Sequence, residues 1–199
     1  GDQDLFVSRW LSGEKVSRQY MLTNENGTFL DITAEVGISH PGRDFFALFA
    51  DYDNDGFLDL FIINSEANRL YHNSGEGTFQ DITASTGIET TSEGRTALFA
   101  DLDLEGDLDL FITTGTRNRL YRNNLDGTFS EIADEAGLIG EEFISRDATF
   151  GDFDDDGDID LFIVNQNGTN RYFDNLRQSY FRDITRHTNL ITDGGSSAV

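Results

Sequence analysis

Three short acidic segments hold the residues of this sequence that are best suited to chemistry: DYDNDGFLD at 51–59, DLDLEGDLD at 101–109 and DFDDDGDID at 152–160. Each has carboxylates at positions 1, 3, 5 and 9 and a glycine at position 6, and each leads directly into Leu-Phe-Ile. A hard divalent cation takes about six to eight oxygen ligands, which a loop can supply from alternate residues if it turns sharply near its middle. The spacing therefore predicts three calcium sites.

The first segment illustrates the geometry that this spacing implies. With alternate residues facing the ion, its ligands are four carboxylates and one backbone carbonyl, those of Asp51, Asp53, Asp55 and Asp59 and of Phe57. The skipped residues face away, and glycine provides the turn at the same place in each copy: Gly56, Gly106 and Gly157.

Two alternatives compete with this interpretation. An EF-hand loop closes with a bidentate Glu at position 12 between two helices; here position 12 is Ile62, Ile112 or Ile163, and the following apolar run predicts a strand. An Asx-rich turn that binds nothing is the second alternative. Carboxylates packed together at three equivalent places would repel one another without a cation, which favours the metal site.

Repetition extends well beyond these segments, with a period of about 50 residues that is typical of propellers and solenoids. Asp-Leu-Phe recurs at 4, 59, 109 and 160, and Gly-Thr-Phe at 27, 77 and 127. Each copy contains four short β-like runs, which in the second copy are Phe46 to Ala50, Leu58 to Asn64, Arg69 to Asn73 and Thr78 to Thr83. Four short strands joined by tight turns predict an antiparallel meander, and stacked meanders predict an all-β propeller or a propeller segment.

Phenylalanine recurs with the repeat and indicates where the blades pack. Eleven of the 17 Phe residues lie in three rows, and we expect these rows to form the core between blades. The rows are Phe6, Phe61, Phe111 and Phe162; Phe49, Phe99 and Phe150; and Phe29, Phe79, Phe129 and Phe181.

The combination of FADYDNDGFLDLFI at 49–62 with NRLYRNNLDGTFSEIADEAGL at 118–138 resembles the FG-GAP or VCBS repeat, as in integrin α-subunit propellers and secreted cartilage-acidic-protein-like proteins. The resemblance covers nearly the whole chain. It implies four-stranded blades with calcium in the loop between the first two strands. The ligands it implies are Asp51, Asp53, Asp55 and Asp59; Asp101, Asp103, Glu105 and Asp109; Asp152, Asp154, Asp156 and Asp160; and the carbonyls of Phe57, Asp107 and Asp158.

The chain departs from this pattern in two places. Glu105 replaces Asp in the second segment, so we expect that site to differ in affinity. The first copy has only the tail of an acidic segment, with Asp4 alone. The repeats divide as 1–42 (partial), 43–93, 94–143, 144–193 and 194–199 (the start of a further blade). We expect an excerpt of a longer propeller, with a small four-bladed ring as the alternative.

The composition favours an extracellular or cell-surface module. The formal charge is -23, and three calcium ions would leave about -17. Such a surface repels nucleic acid and anionic membranes, and no apolar run is long enough for membrane insertion. With no cysteine there is no disulfide framework, and calcium can stabilise the fold instead. A hydrophobic content of 37% is enough for a core.

Catalysis finds little support in the sequence. The histidines are His40, His72 and His187, and no spacing pairs them with a serine or with other metal ligands. We therefore expect a non-catalytic calcium-binding module for adhesion, for protein or carbohydrate binding, or for self-assembly. The alternative is a propeller-type polysaccharide lyase, or part of a larger enzyme.

Positions where the copies differ are candidates for binding a partner. The first copy has an extra hairpin, Arg9 to Lys15, with the chain's only Trp and only Lys. Trp10 is either an interface residue or a cap on a blade edge. Asn26 and Asn167 begin Asn-Gly-Thr triplets that match the glycosylation acceptor, although Asn-Gly is also a favoured hairpin turn.

Overall fold

The computed structural model describes residues 3–15, 17–89, 94–138 and 144–188. Within them the chain is almost entirely β, and its strands form four antiparallel sheets, here called blades 1 to 4. Blade 1 has three strands in the described residues and the others have four, each ordered along the sheet as along the chain. The prediction of an all-β chain of meanders is confirmed.

The strand bounds follow the repeat. Blade 1 contains β1 (Leu5–Arg9), β2 (Arg18–Glu25) and β3 (Thr28–Asp31). Blade 2 contains β4 (Asp44–Ala50), β5 (Asp59–Asn64), β6 (Arg69–Asn73) and β7 (Phe79–Asp81). Blade 3 contains β8 (Gly94–Ala100), β9 (Asp109–Thr114), β10 (Arg119–Asn123) and β11 (Phe129–Glu131). Blade 4 contains β12 (Ser145–Gly151), β13 (Asp160–Asn165), β14 (Arg171–Asn175) and β15 (Phe181–Asp183).

The predicted strands of the second copy are confirmed except at the last one, which was predicted to reach Thr83. The strand ends at Asp81, because that carboxylate accepts hydrogen bonds from both the backbone N–H (3.1 Å) and the hydroxyl (2.6 Å) of Thr83. This side-chain capping turns the chain out of the sheet. A short helix, α2 (Thr83–Thr86), follows it, and blade 1 repeats the arrangement with α1 (Thr33–Val36). A 3-10 turn, Thr185–His187, follows β15.

The strands divide into two compact units, β1 to β7 and β8 to β15. In the first unit one core joins blades 1 and 2: Met21, Val36, Ile38, Leu60, Ile62 and Tyr71, with Phe6, Ile32, Ala47, Phe49 and Phe79 packed against them. Polar contacts also join these blades, since Asp44 on β4 accepts hydrogen bonds from Ser8 on β1 (2.5 Å) and Gln19 on β2 (3.0 Å). Stacked sheets therefore bury their facing side chains, as expected for repeats that cannot fold alone.

The second unit has its own core between blades 3 and 4: Leu102, Phe111, Leu120, Ile132, Ala133, Ala136, Ala148, Leu161, Ile163, Phe173 and Phe181. The backbones approach closely here, since Phe181 N donates to Ala136 O at 2.7 Å. Gly137 permits this approach, because it has a φ of +80° and a Cβ there would lie 2.5 Å from the carbonyl oxygen of Phe181. The amide of Asn175 reaches across to Leu102 O at 2.9 Å.

The predicted phenylalanine rows are core residues in most copies. Phe61, Phe111, Phe129 and Phe181 are buried, and Phe6, Phe49, Phe79 and Phe150 pack against the cores. The prediction is wrong for Phe29, which is 45% exposed. Its equivalent in blade 2, Phe79, packs against the core that joins blades 1 and 2, whereas Phe29 belongs to neither core of the described residues.

No helix among the residues that the structure describes is both long and apolar enough to cross a membrane.

Candidate metal centres

The three acidic segments are loops that join the first and second strands of blades 2, 3 and 4. Their backbones take the same path, with left-handed φ values at position 4 (Asn54 +58°, Leu104 +63°, Asp155 +61°) and position 6 (Gly56 +91°, Gly106 +90°, Gly157 +92°). The glycine is favoured because L side chains rarely adopt such a φ. Leu104 adopts the same conformation at a local energetic cost. The predicted turn at the glycine is confirmed.

Backbone N–H groups turn the carboxylates of the first loop inward. The two oxygens of Asp51 accept from Asp55 N and Gly56 N, both at 3.0 Å. Asp55 in turn accepts from Phe57 N at 2.8 Å. These bonds orient the side chains at positions 1 and 5 towards the interior of the loop.

The third loop repeats this pattern closely. Asp152 accepts from Asp156 N and Gly157 N at 3.1 Å, and Asp156 accepts from Asp158 N at 2.9 Å. In the second loop Asp101 accepts from Gly106 N at 3.1 Å. All three loops therefore share the bond from position 6 to position 1, and the first and third loops also share the other two bonds.

The folding of each loop brings carboxylates together. One oxygen from each of three side chains lies within 4.8 Å of the others in the sets Asp51, Asp53 and Asp55; Asp101, Asp103 and Asp107; and Asp152, Asp154 and Asp156. Oxygens that bind one calcium ion at about 2.3–2.6 Å can lie no more than roughly 5 Å apart. The separations thus have the size of a calcium coordination shell, although exposed acidic groups also cluster without an ion.

The carboxylates at position 9 occupy a different environment, because Asp59, Asp109 and Asp160 are buried at the base of the loops. Each accepts a backbone N–H from the third strand of its own blade, at 2.8 Å from Asn73, 3.0 Å from Asn123 and 2.9 Å from Asn175. They fasten the loop to the sheet. Among the described residues, Asp59 also groups with Asp53 as a possible ligand, whereas Asp109 and Asp160 belong to none of the grouped sets.

The second loop holds two oxygens that lack partners. Oδ1 of Asp101 and Oδ1 of Asp107 are both buried, and neither accepts a hydrogen bond within the described part of the chain. Burying a carboxylate oxygen without a donor or a counter-ion is unfavourable. Both residues belong to the grouped set of that loop, so a divalent cation between them would compensate both oxygens. The residues present fit such an ion.

The second loop differs from its prediction in which side chains converge. Glu105 is predicted as a ligand but lies outside the grouped set, in which Asp107 takes the third place; the ligand role of Glu105 stays a prediction. Asp107 had been predicted to contribute only its carbonyl. The ligand roles of the Phe57, Asp107 and Asp158 carbonyls stay predictions.

The electrostatics of the loops reflect crowded negative charge. Burial raises the pKa of Asp59 to about 6 and the pKa of Asp109 to about 7, and the neighbouring carboxylates of Asp53 and Asp103 add to the effect. Burial and adjacent carboxylates also raise the pKa of Asp107. In the absence of a cation, ionisation of these groups opposes folding.

One residue near the loops was missed by the reasoning from sequence. His72, on β6, places Nδ1 3.1 Å from Asp59 Oδ1 and 3.3 Å from Asp53 Oδ2. Its equivalents are Arg122 on β10 and Asp174 on β14, so the imidazole is particular to blade 2. No spacing along the sequence pairs a histidine with metal ligands, yet the fold brings His72 within reach of two carboxylates. Linear spacing does not show the contact, because it arises from pairing between β5 and β6.

The other histidine in the first unit has a structural environment. His40 is buried, with Nδ1 2.9 Å from the Tyr71 hydroxyl and Nε2 2.7 Å from Asp44 Oδ1. Asn64 Nδ2 donates to the same carboxylate oxygen at 2.7 Å. This network closes the interior of the first unit.

An aromatic surface lies at the extra hairpin of blade 1. The guanidinium of Arg43 stacks 4.0 Å from the Trp10 ring centroid and 5.3 Å from that of Phe45. Trp10 is 39% exposed and Phe45 is 45% exposed, and the indole N–H is fixed by a 2.8 Å hydrogen bond to Glu14 O. We call Trp10, Arg43 and Phe45 the aromatic surface.

The two Asn-Gly-Thr triplets lie in turns. Asn26 and Gly27 have φ values of +53° and +86° between β2 and β3, as a tight hairpin turn requires. Asn167 lies between β13 and β14, and its side chain accepts from Ile144 N at 3.2 Å. The turn interpretation of the first triplet is confirmed.

Comparison with known proteins agrees with this architecture. The FG-GAP-like repeat model matches residues 1–62, 51–112 and 101–163, and the second and third matches begin at the first aspartate of an acidic loop. No curated protein matches the chain. A solved structure concerned with recognition of non-reducing terminal N-acetylglucosamine by an Agrocybe aegerita lectin matches with a TM-score of 0.53 and 19% identity. The match covers 90% of this chain and 51% of that one, so the chain spans about half the length of the lectin.

Proposed function

We propose a function from the premise that the chain belongs to the FG-GAP-like repeat family, as a β-propeller segment. It is a calcium-loaded, non-catalytic module that binds carbohydrate at the cell surface or outside the cell. Protein ligands and copies of itself are the other partners to test. The observation that carries the calcium part is the pair of buried oxygens, on Asp101 and Asp107, that have no hydrogen-bond partner among the described residues.

Each loop contributes its own set of residues to the proposed sites. The side chains at positions 1 and 3 hold the ion in all three loops, together with position 5 in the first and third loops and Asp107 in the second. Position 9 fastens the loop to the third strand of the blade. A bound calcium ion would neutralise the crowded carboxylates and so stabilise each blade at the turn that joins its first two strands.

An extracellular setting suits this chemistry. Extracellular calcium modules work with dissociation constants of about 10⁻⁴–10⁻³ M, because calcium is abundant there. Exposed loops such as 152–157 are typical of weak sites of this kind, since few groups other than the loop itself exclude water. The absence of cysteine agrees with stabilisation by bound ions rather than disulfides.

The aromatic surface is the proposed carbohydrate contact. Aromatic faces pack against the C–H faces of sugar rings, and a guanidinium donates hydrogen bonds to their hydroxyls. Trp10, Arg43 and Phe45 combine both properties, and contacts with Glu14 and between the three side chains fix their positions. The lectin of similar fold recognises non-reducing terminal N-acetylglucosamine, which supports glycans as the first ligands to test.

Calcium titration of chelator-treated protein tests the metal part. We expect about three ions per chain by isothermal titration calorimetry and a rise in Tm, since a ligand at 100 times its Kd stabilises by about 2.7 kcal/mol per site. The double variant Asp101→Asn, Asp103→Asn should bind one ion fewer. Magnesium chloride at equal ionic strength is the control. No binding heat and an unchanged Tm would refute the calcium sites.

A glycan array probed with the calcium-loaded chain tests the ligand part. We expect binding to a subset of glycans that is lost in Trp10→Ala and weakened in Phe45→Ala. Tyr180→Ala is the matched control, because Tyr180 is also a large exposed side chain, at 55%, but lies outside the aromatic surface. Binding unaffected by Trp10→Ala would place the ligand elsewhere, and no binding by the native chain would contradict a glycan ligand.

A further inference from the structure

We propose that His72, Asp53 and Asp59 form a transition-metal site, so that blade 2 takes a borderline divalent ion such as Zn²⁺ where the other blades offer only oxygen. The site uses an imidazole nitrogen from β6 together with two carboxylates of the first acidic loop. It shares Asp53 with the proposed calcium set of the first loop, so the two ions would compete for that carboxylate, and the site is tested in calcium-free protein.

The distances suit a small ion. His72 Nδ1 lies 3.1 Å from Asp59 Oδ1 and 3.3 Å from Asp53 Oδ2, and all three ligand atoms lie within 4.8 Å of one another. Ligands held at about 2.0–2.1 Å from one tetrahedral ion lie roughly 3.3–3.4 Å apart. The two distances from the imidazole nitrogen to the carboxylate oxygens are thus already close to the ligand–ligand distances in a tetrahedral zinc site.

Surrounding groups hold the ligands in place. The Asp59 side chain is 1% exposed, and its oxygens accept from Asn73 N (2.8 Å) and Tyr52 N (3.4 Å). These donors orient the carboxylate while each oxygen keeps a lone pair for the metal. His72 and Asp53 are each 26% exposed, which leaves the site open to an entering ion and to a water ligand.

The ligand chemistry selects the class of metal. Calcium and magnesium prefer oxygen, whereas an imidazole suits zinc, copper, nickel and iron. The equivalent positions carry Arg122, which cannot act as a neutral nitrogen ligand, and Asp174, which offers oxygen. Sequence variation at one strand position therefore distinguishes the first loop from the other two.

A hydrogen-bonding role is the competing explanation for the same contacts. In the metal-free protein a proton on Nδ1 makes the bonds to Asp53 and Asp59, and a metal ion would take the place of that proton. The two explanations differ in measurable ways, because a residue that only donates hydrogen bonds confers no affinity for Zn²⁺ and no spectrum on Co²⁺.

Zn²⁺ and Co²⁺ titrations of the chelator-treated chain test the proposal. We expect one Zn²⁺ per chain, bound at least tenfold more tightly by the native protein than by His72→Asn, and visible absorption bands from Co²⁺ that His72→Asn lacks. Arg122→His places an imidazole at the equivalent position of blade 3 and should add a second ion. His187→Asn removes an exposed histidine as the control and should change neither result.

The outcomes separate this proposal from calcium binding. His72→Asp introduces the residue type found at the equivalent position, Asp174. It should lose Zn²⁺ affinity and keep its calcium stoichiometry, and it replaces His72→Asn in the test if that variant does not fold. Zn²⁺ affinity and Co²⁺ bands unchanged by both substitutions would overturn the site. A native chain that binds Zn²⁺ but not calcium would refute the calcium proposal and leave this one standing.

Discussion

Oδ1 of Asp109 accepts a 3.0 Å hydrogen bond from the backbone N–H of Asn123, which ties the base of the second acidic loop to the third strand of the same blade. The other oxygen, Oδ2, lies 3.3 Å from the hydroxyl of Ser179, in the stretch before β15 of blade 4. One buried carboxylate therefore connects a loop, its own sheet and the next blade.

Because Asp109 is buried, we expect the stability of the calcium-free protein to depend on pH. Burial raises the pKa of Asp109 to about 7 from a value near 4 in the unfolded chain, so its contribution to stability is present below about pH 4 and is lost as the pH rises towards 7. One pKa unit corresponds to about 1.4 kcal/mol. In EDTA, the Tm of Asp109→Asn relative to that of native protein should be higher at pH 8 than at pH 4.5.

The measurement is differential scanning calorimetry of both proteins at the two pH values, because the difference between them cancels titration elsewhere. Asn keeps an oxygen that accepts from Asn123, but its amide NH2 replaces an oxygen that accepts from Ser179 and from the backbone N–H of Leu102. This loss of hydrogen bonds lowers Tm at both pH values, so the change in the Tm difference between pH 4.5 and pH 8 measures the effect of charge. A Tm difference independent of pH would show that Asp109 is not the titrating group. Saturating calcium should remove the benefit of Asp109→Asn, because the ion favours the ionised carboxylates.

The buried hydrogen-bond network of Asp44 should make a large contribution to the stability of the first unit. Although burial pushes the pKa of Asp44 up, hydrogen bonds from His40, Ser8, Gln19 and Asn64 hold it at about 2. Asp44→Ala leaves these buried donors without an acceptor and should cost about 3–5 kcal/mol. Urea unfolding measures the loss.

The matched control for Asp44 is Asp81, a partly exposed carboxylate. Asp81 pairs with Arg69 at 2.8 Å with side chains 34% and 26% exposed, so Asp81→Asn should cost about 1 kcal/mol or less. Equal losses for the two substitutions would contradict the importance of the buried network. Because the folded pKa of Asp44 is depressed, its contribution should also disappear as the pH falls from about 4 towards 2.

Equivalent phenylalanines should differ in what they contribute. Phe129 is 5% exposed and Phe29 is 45% exposed, although both follow Gly-Thr in the repeat. Phe129→Ala should cost about 3–5 kcal/mol, as for large-to-small substitutions in a core, and Phe29→Ala less than about 1 kcal/mol. Urea unfolding measures the free energy of unfolding of both variants. A large loss of stability in Phe29→Ala would mean that another surface covers Phe29 in blade 1.

Because of Glu105, we expect the second acidic loop to bind calcium more weakly than the other two. In the other loops the aspartate at position 5 accepts a backbone N–H from position 7, at 2.8 Å for Asp55 and 2.9 Å for Asp156. Glu105→Asp should restore that geometry and tighten the weakest calcium-binding step severalfold in a calorimetric titration. Asp55→Glu is the reciprocal control and should weaken the first loop; an unchanged isotherm for Glu105→Asp would dismiss the idea.

Much of the fold follows from local signals. The glycine at position 6 fixes a left-handed turn, and Asp-Leu-Phe-Ile fixes the buried strand after it, because both depend on residues a few positions apart. The same signals failed at Thr83, where hydrogen bonds donated by Thr83 to the Asp81 carboxylate ended the strand, and at Phe29, where burial depends on which sheet lies opposite. Neither partner is visible in a linear pattern.

The sequence by itself determined the repeat, the four-stranded blades and the acidic loops, since these follow from periodicity and from the spacing of carboxylates around a glycine. Only the tertiary structure decided which oxygens converge, that Asp107 rather than Glu105 joins the grouped carboxylates of the second loop, and that His72 reaches Asp53 and Asp59. The physical reason is that strand pairing and blade packing join residues distant along the chain. Burial then gives side chains of the same type, at equivalent positions of the repeat, different partners and different chemistry.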